Sequence, residues 1–285
     1  MRELNAYLRH AVRRCLMPLA ARAASAYIAG PELDDALKLA HGLARQGFAS
    51  TLGFWDGEGD TPEIVAGQYL AALEAMSPLA DSYLSIKLPA LGDSRPWLDS
   101  LLAVARRSRQ RIHFDSLGPE AADMMWSAAM QVAQPGDVKV SCSLPGRWRR
   151  SLDDADATVA AGIIPRVVKG QWPDAAGPDS DLRQGFLKVV DRLAGRAPHV
   201  AIASHDAPLA GEAIRRLRAA GSTCELELLY GLPQRATLAV AASEAVGVRF
   251  YVPYGKAYLP YCLGQARRQP RLLWWLVRDA LRLGS

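Results

Sequence analysis

The residues able to do chemistry in this sequence stand where short apolar runs end. Lys87 sits in Ser85-Ile86-Lys87-Leu88, an otherwise apolar string. A lysine there needs a carboxylate partner or a depressed pKa. Three uses fit: an ion pair with Asp115, a contact to substrate or cofactor, or a Schiff base. Lys169 leaves an apolar run beside Gly170, where backbone and ammonium together can meet an anion such as phosphate. His205 precedes Asp206, a residue type that caps helices, and a helix N-terminus favours anions. The plainer reading is a capping turn in which His205 only packs. His113, Asp115, Ser141, Ser143, Arg166, Trp172, Ser204, Glu227, Tyr230, Tyr251 and Tyr254 complete the set. The five histidines do not fall at helical metal-binding spacing, and no nucleophile elbow, zinc helix or Walker loop is written. No metal is expected.

The elements that must position these residues alternate regularly. Strands are expected at 49–53, 83–88, 111–114, 138–141, 165–168, 199–203, 223–228 and 248–252, read as short apolar runs buried on both faces. Helical patterns fill 61–76, 97–107, 119–132, 152–161, 181–193, 208–220 and 234–245, with Gly221 and Gly247 as helix stops. Eight strands alternating with helices predict an α/β fold, a (β/α)8 barrel whose chemistry gathers at the C-terminal ends of its strands. A doubly wound sheet is the alternative, but its G-x-G-x-x-G fingerprint is missing. The expected organisation is one domain: N-terminal helices in 1–45, barrel core in 46–255, rim and C-terminal helices in 256–285.

Composition narrows the class. Of 285 residues, 50% are hydrophobic and 22% charged, which excludes a disordered chain. No apolar run approaches the ~20 residues of a membrane span. The net charge of +5 is dispersed, without the continuous basic stripe that nucleic acid requires. Cys15, Cys142, Cys224 and Cys262 lie far apart and suit a reducing cytosol, so a cytoplasmic location is expected. The Arg-rich segment 1–27 reads as a structural helix ahead of a transit peptide. The basic, amphipathic run 271–276 reads as packing across the barrel, with docking to a membrane surface as its second reading.

Five strings, taken in order, resemble the proline dehydrogenase family, a flavin-dependent (β/α)8 barrel. They are Ser85-Ile86-Lys87-Leu88, Arg166-Val167-Val168-Lys169-Gly170, Ala203-Ser204-His205-Asp206, Leu228-Leu229-Tyr230-Gly231 and Tyr251-Val252-Pro253-Tyr254-Gly255. The resemblance implies FAD bound noncovalently at the C-terminal rim. Residues matching Arg166, Val168, Lys169 and Gly170 would lie against the flavin and its phosphates. Those matching Ser204, His205 and Asp206 would hold the ribityl and adenosine portions, with Leu229 and Glu227 (a glutamine in the family) on the same side. Lys87, Tyr251 and Tyr261 match positions that line the substrate pocket.

The departures bear on the substrate. The family's Tyr-x-x-Arg-Arg, which clamps the carboxylate of proline, becomes Tyr261 followed by Gly264 and Gln265. The family's aspartate on the third strand becomes His113, its strand-four glutamine Ser141, and the Ala-Tyr after Lys-Gly becomes Gln171-Trp172. Losing one partner of a buried charge pair costs about 3–5 kcal/mol. A larger, neutral or carrier-tethered amine is therefore expected in place of free L-proline, with an unspecified electron acceptor. Trp172, Tyr251 and Tyr261 would wall the pocket. Lys87 and His113 would stand nearest the reacting centre, His113 as the base. Two other classes compete: a barrel without redox activity acting as a binding or scaffold protein, and a flavin-free lyase using Lys87 or Lys169.

Overall fold

A computed structural model describes residues 29–255, except 58, 80, 93–94, 134–136, 176 and 178–180. The expected helix in 1–27, the rim helix, Tyr261, Gly264 and Gln265 lie outside the described residues.

The strands are β1 (Ala49–Phe54), β2 (Tyr83–Ile86), β3 (Ile112–Phe114), β4 (Val140–Pro145), β5 (Ile164–Val168), β6 (His199–Ala203), β7 (Thr223–Leu229) and β8 (Gly247–Tyr254). Each pairs in parallel with the next, and β8 closes on β1 over six register pairs from Ala49–Arg249 to Phe54–Tyr254. The described helices are α1 (Leu33–Arg45) before β1, then α2 (Pro62–Ala75), α3 (Arg95–Ser108), α4 (Ala122–Ala133), α5 (Ser151–Ala161), α6 (Leu182–Leu193), α7 (Ala207–Ala219) and α8 (Arg235–Ser243) between strands. The closed barrel is the expected architecture, and the open sheet is excluded.

Alternation along the strands sorts the side chains into two populations. Leu84, Ile86, Ile112, Phe114, Cys142, Leu144, Val167, Ile202, Leu226, Leu228 and Val252 are buried without exposed surface, in the core cluster that includes residues of the helices. The other register carries Tyr83, Ser85, His113, Ser141, Ser143, Arg166, Glu225, Glu227, Arg249 and Tyr251. Tyr83 reaches from β2 to Glu227 on β7, so this register faces the inside. The strands are buried on both faces, as expected, but the inner face is polar. Tyr254 belongs to the outer register and donates to the carbonyl of Gln68 on α2, so it does not join the rim chemistry.

Several boundaries moved for physical reasons. β2 stops at Ile86 because a 3-10 turn begins at Leu88 and Pro89 has no amide to donate. Lys87 is therefore the residue leaving the strand. β4 runs to Pro145, past the expected end at 141, which brings Ser143 into the barrel. Gly247 opens β8; the left-handed residue after α8 is Ala245, at φ 50°. No described helix is long and apolar enough to cross a membrane.

Candidate cofactor and substrate site

A cavity of about 590 Å³ opens at the C-terminal mouth of the barrel. It gathers Lys87 from the end of β2, Arg166 and Val168 from β5, and Lys169, Gly170 and Trp172 from the loop that follows. Ser204, His205 and Asp206 line it after β6, Glu227 and Leu229 from β7, and Tyr251 from β8. Residues that lie 164 positions apart in sequence order, from 87 to 251, thus share one pocket.

Its floor is an ion-pair network centred on Arg166, whose side chain is 6% exposed. Nη1 donates to Glu227 Oε1 at 2.7 Å, Nη2 to Asp115 Oδ1 at 2.7 Å, and Nε to Ser143 Oγ at 3.1 Å. Burial alone would lower the guanidinium pKa; Glu227 and Asp115 outweigh it and hold the charge firmly in place. Tyr83 donates to the second oxygen of Glu227 at 2.9 Å. Burial, with Glu227 beside it, pushes the Tyr83 phenol well up, so it stays a donor.

Asp115 is therefore spent on Arg166 and is not the partner of Lys87. That partner is Asp56, whose Oδ1 accepts from Lys87 Nζ at 3.1 Å, while Trp55 lies 5.7 Å from the same ammonium. Neither Trp55 nor Asp56 figures in the sequence reading. The available signal was an acid directly after the first apolar run, in Phe54-Trp55-Asp56-Gly57.

On the other side of the mouth, Asp206 Oδ2 takes Lys169 Nζ at 3.0 Å and Arg183 Nη1 at 2.7 Å. Its Oδ1 caps α7 by accepting from Leu209 N at 3.1 Å. Partial burial pulls the Asp206 carboxyl up; Lys169, Arg183 and the Leu209 amide win, leaving it at about 2. Arg183, near the start of α6, was also missed, for nothing in the local pattern of a helix N-terminus points across to the next loop.

His205 is oriented by backbone on both sides. Nδ1 donates to Pro233 O at 3.0 Å, and Nε2 accepts from Leu229 N at 2.9 Å. Burial lowers its pKa, so the ring is neutral. It ties the end of β7 to the loop after it and presents its ring, not a free nitrogen, to the cavity. Gly170 has φ 93°, and a Cβ there would come within 3.0 Å of Pro145 and Arg147. Its need for glycine is met first by that packing. Trp172 lines the mouth but remains 40% exposed, so it does not seal it.

His113 corrects the sequence reading. It has no exposed surface and does not line the cavity. Its nitrogens lie 2.9 Å from Ser141 Oγ and 3.0 Å from Ser143 Oγ. Burial, then the charges of Arg166, Arg111 and Arg249, drives its pKa well below the ordinary value. Buried beneath the floor with both nitrogens held by Ser141 and Ser143, it is not placed to meet a substrate in the cavity. Among the described residues, no cluster of acids, histidines or cysteines is arranged to hold a metal.

No protein-family model matches the sequence. Proline dehydrogenase of Deinococcus radiodurans is 24% identical over 281 residues, covering 91% of this chain and 90% of that protein. Proline utilization A (PutA) from Bdellovibrio bacteriovorus, inactivated by N-propargylglycine, has the same fold over 85% of this chain, with TM-score 0.73 and 14% identity. PutA from Corynebacterium freiburgense matches 99% of the chain at TM-score 0.66 and 15% identity. The chain spans 32% and 35% of those two PutA chains, about a third of each. In fold the chain is a closed (β/α)8 barrel, and its sequence is similar to that of the Deinococcus radiodurans proline dehydrogenase over 91% of its length.

Proposed function

We propose that the chain is a flavin-dependent dehydrogenase that oxidises a C–N bond of an amine or amino-acid derivative, with FAD at the C-terminal mouth. The observation that carries this reading is the single cavity into which the family-like strings from β2, β5, β6, β7 and β8 deliver their residues. The donor set fits a dinucleotide. Lys169 and Arg183 share one carboxylate, leaving an excess positive charge beside the N-terminus of α7. Arg166, Val168, Lys169 and Gly170 would hold the flavin and diphosphate, and Ser204, His205 and Asp206 the ribityl and adenosine parts. The chemistry supplied there would be acceptance of a hydride from the carbon attached to the substrate nitrogen, by the flavin these residues would hold.

Among the described residues, the cavity's cations support a substrate other than free L-proline. Lys87 is matched by Asp56, and Arg166 by Asp115 and Glu227. Each of these cavity-lining cations therefore already has its carboxylate, and Gly264 and Gln265 supply none. Asp115, 20% exposed, offers an acceptor to an amine N–H. Tyr251 and Trp172 form the apolar side.

The absorbance spectrum of the purified protein is the test. Bound flavin, or a thermal shift on adding FAD, is expected; a colourless protein without that shift overturns the reading and returns the barrel to a binding role. Lys169→Glu should weaken FAD binding most, because it sets like charges together at the diphosphate. Anaerobic L-proline should bleach the flavin slowly. Gly264→Arg combined with Gln265→Arg should recover part of the affinity for a proline-like carboxylate, and rapid bleaching of the wild type by L-proline would overturn the substrate assignment.

A further inference from the structure

The opposite end of the barrel holds a second cavity, about 910 Å³, which the proposed flavin site does not use. Arg45 reaches it from the end of α1, Arg111 from the residue before β3, and Arg249 from β8. Glu225 is paired with Arg249 and lies at the edge of ion-pair distance from Arg111. Arg249 Nε bonds both of its oxygens, at 3.0 and 3.1 Å. His199 Nε2 stands 3.6 Å from Glu225, and Arg111 Nη1 stands 3.9 Å away. Arg249 also donates to the backbone carbonyls of Ser50 and Asp81, so its fork is satisfied. The Asp81 side chain, the other acid of the lining, makes no bond to any of these arginines.

Arg111 is the less satisfied of these two arginines. Its side chain is 19% exposed, and none of its nitrogens donates a hydrogen bond to a described residue. Nε and Nη1 are buried without a partner, with the guanidinium 4.7 Å from the centre of the Tyr83 ring that Arg249 also covers at 4.4 Å. Two buried donors without a hydrogen bond are costly, the ion pair to Glu225 at 3.9 Å being long, and a guanidinium fork is shaped for the two oxygens of a carboxylate or phosphate. The sequence at the two ends of the chain is basic. Residues 1–28 and 256–285 together hold eleven lysines and arginines against two acids. We propose that this N-terminal cavity is a binding site for a small oxyanion, of phosphate or carboxylate type, held by Arg111 with Arg45 at its side.

The test is calorimetric titration of the full chain with inorganic phosphate and, separately, acetate, in a buffer free of both. Saturable binding of at least one is expected, and the pair distinguishes a phosphate site from a carboxylate site. Arg111→Gln should weaken binding at least about tenfold, the share of a charged hydrogen bond. Arg45→Gln should weaken it by less and, because Arg45 is exposed, should fold normally even where Arg111→Gln does not. Lys169→Gln, at the other mouth, should leave it unchanged. Absence of saturable binding, binding that survives Arg45→Gln and any folded Arg111→Gln, or binding lost with Lys169→Gln would overturn the proposal.

Discussion

Gly53 shows how much a single residue position decides at the mouth. A Cβ built there would stand 2.0 Å from the Tyr251 hydroxyl, so the ring occupies space that only glycine leaves free. Gly53→Ala should push Tyr251 out of its place and cost about 1–3 kcal/mol by overpacking, read by urea unfolding. Glu227→Gln acts through charge. It leaves Arg166 with Asp115 alone and should cost about 3–5 kcal/mol in the same measurement. At this scale the sequence told which residues gather but not how they pair. Lys87 finds Asp56 and not Asp115, because Arg166, brought over from β5, claims Asp115 first. Partners chosen across a closed sheet depend on inter-strand register and rotamer, and linear spacing carries neither.

The elements were legible because alternation is written into every strand. Tyr-Leu-Ser-Ile in β2, Ile-His-Phe in β3 and Glu-Leu-Glu-Leu in β7 each put an apolar side chain outward and a polar one inward. That same alternation hid the function of His113. As a polar residue at a strand end it looked catalytic, yet β4 continues to Pro145 and builds the floor above it from Ser143. Turn chemistry gave the clearest local signals, since Asp206 both follows β6 and caps α7. Asp206→Ala should cost about 1 kcal/mol through the lost cap, and more through the released cations, seen as a lower melting temperature. Asp206→Asn, which can still accept from the Leu209 amide, should recover the cap share only.

For the whole molecule the ion pairs fix the acid limit. Burial would raise the Glu225 carboxyl; His199 close beside it and the charge and bonds of Arg249 hold it at about 2, against an ordinary 4.5. A carboxyl depressed in the folded state contributes stability that is complete above its unfolded pKa and is lost as pH falls through the folded one. Stability should therefore hold steady above pH 4.5 and decline toward pH 2, with Glu225→Gln flattening part of that decline in acid-titrated denaturation curves.

The polar inner register has a consequence for how this barrel can change. Asp115, Arg166, Glu227, Tyr83, Arg249 and Glu225 follow one another along the axis, each touching the next through a hydrogen bond or a ring contact. Altering one of them strands its neighbours, whereas altering two adjacent ones together removes the conflict along with the bond. Double replacements such as Arg166→Met with Glu227→Leu should therefore be milder than the sum of the two single replacements. Drift on the outer helices is free by comparison, and the axis admits new residues only in matched sets.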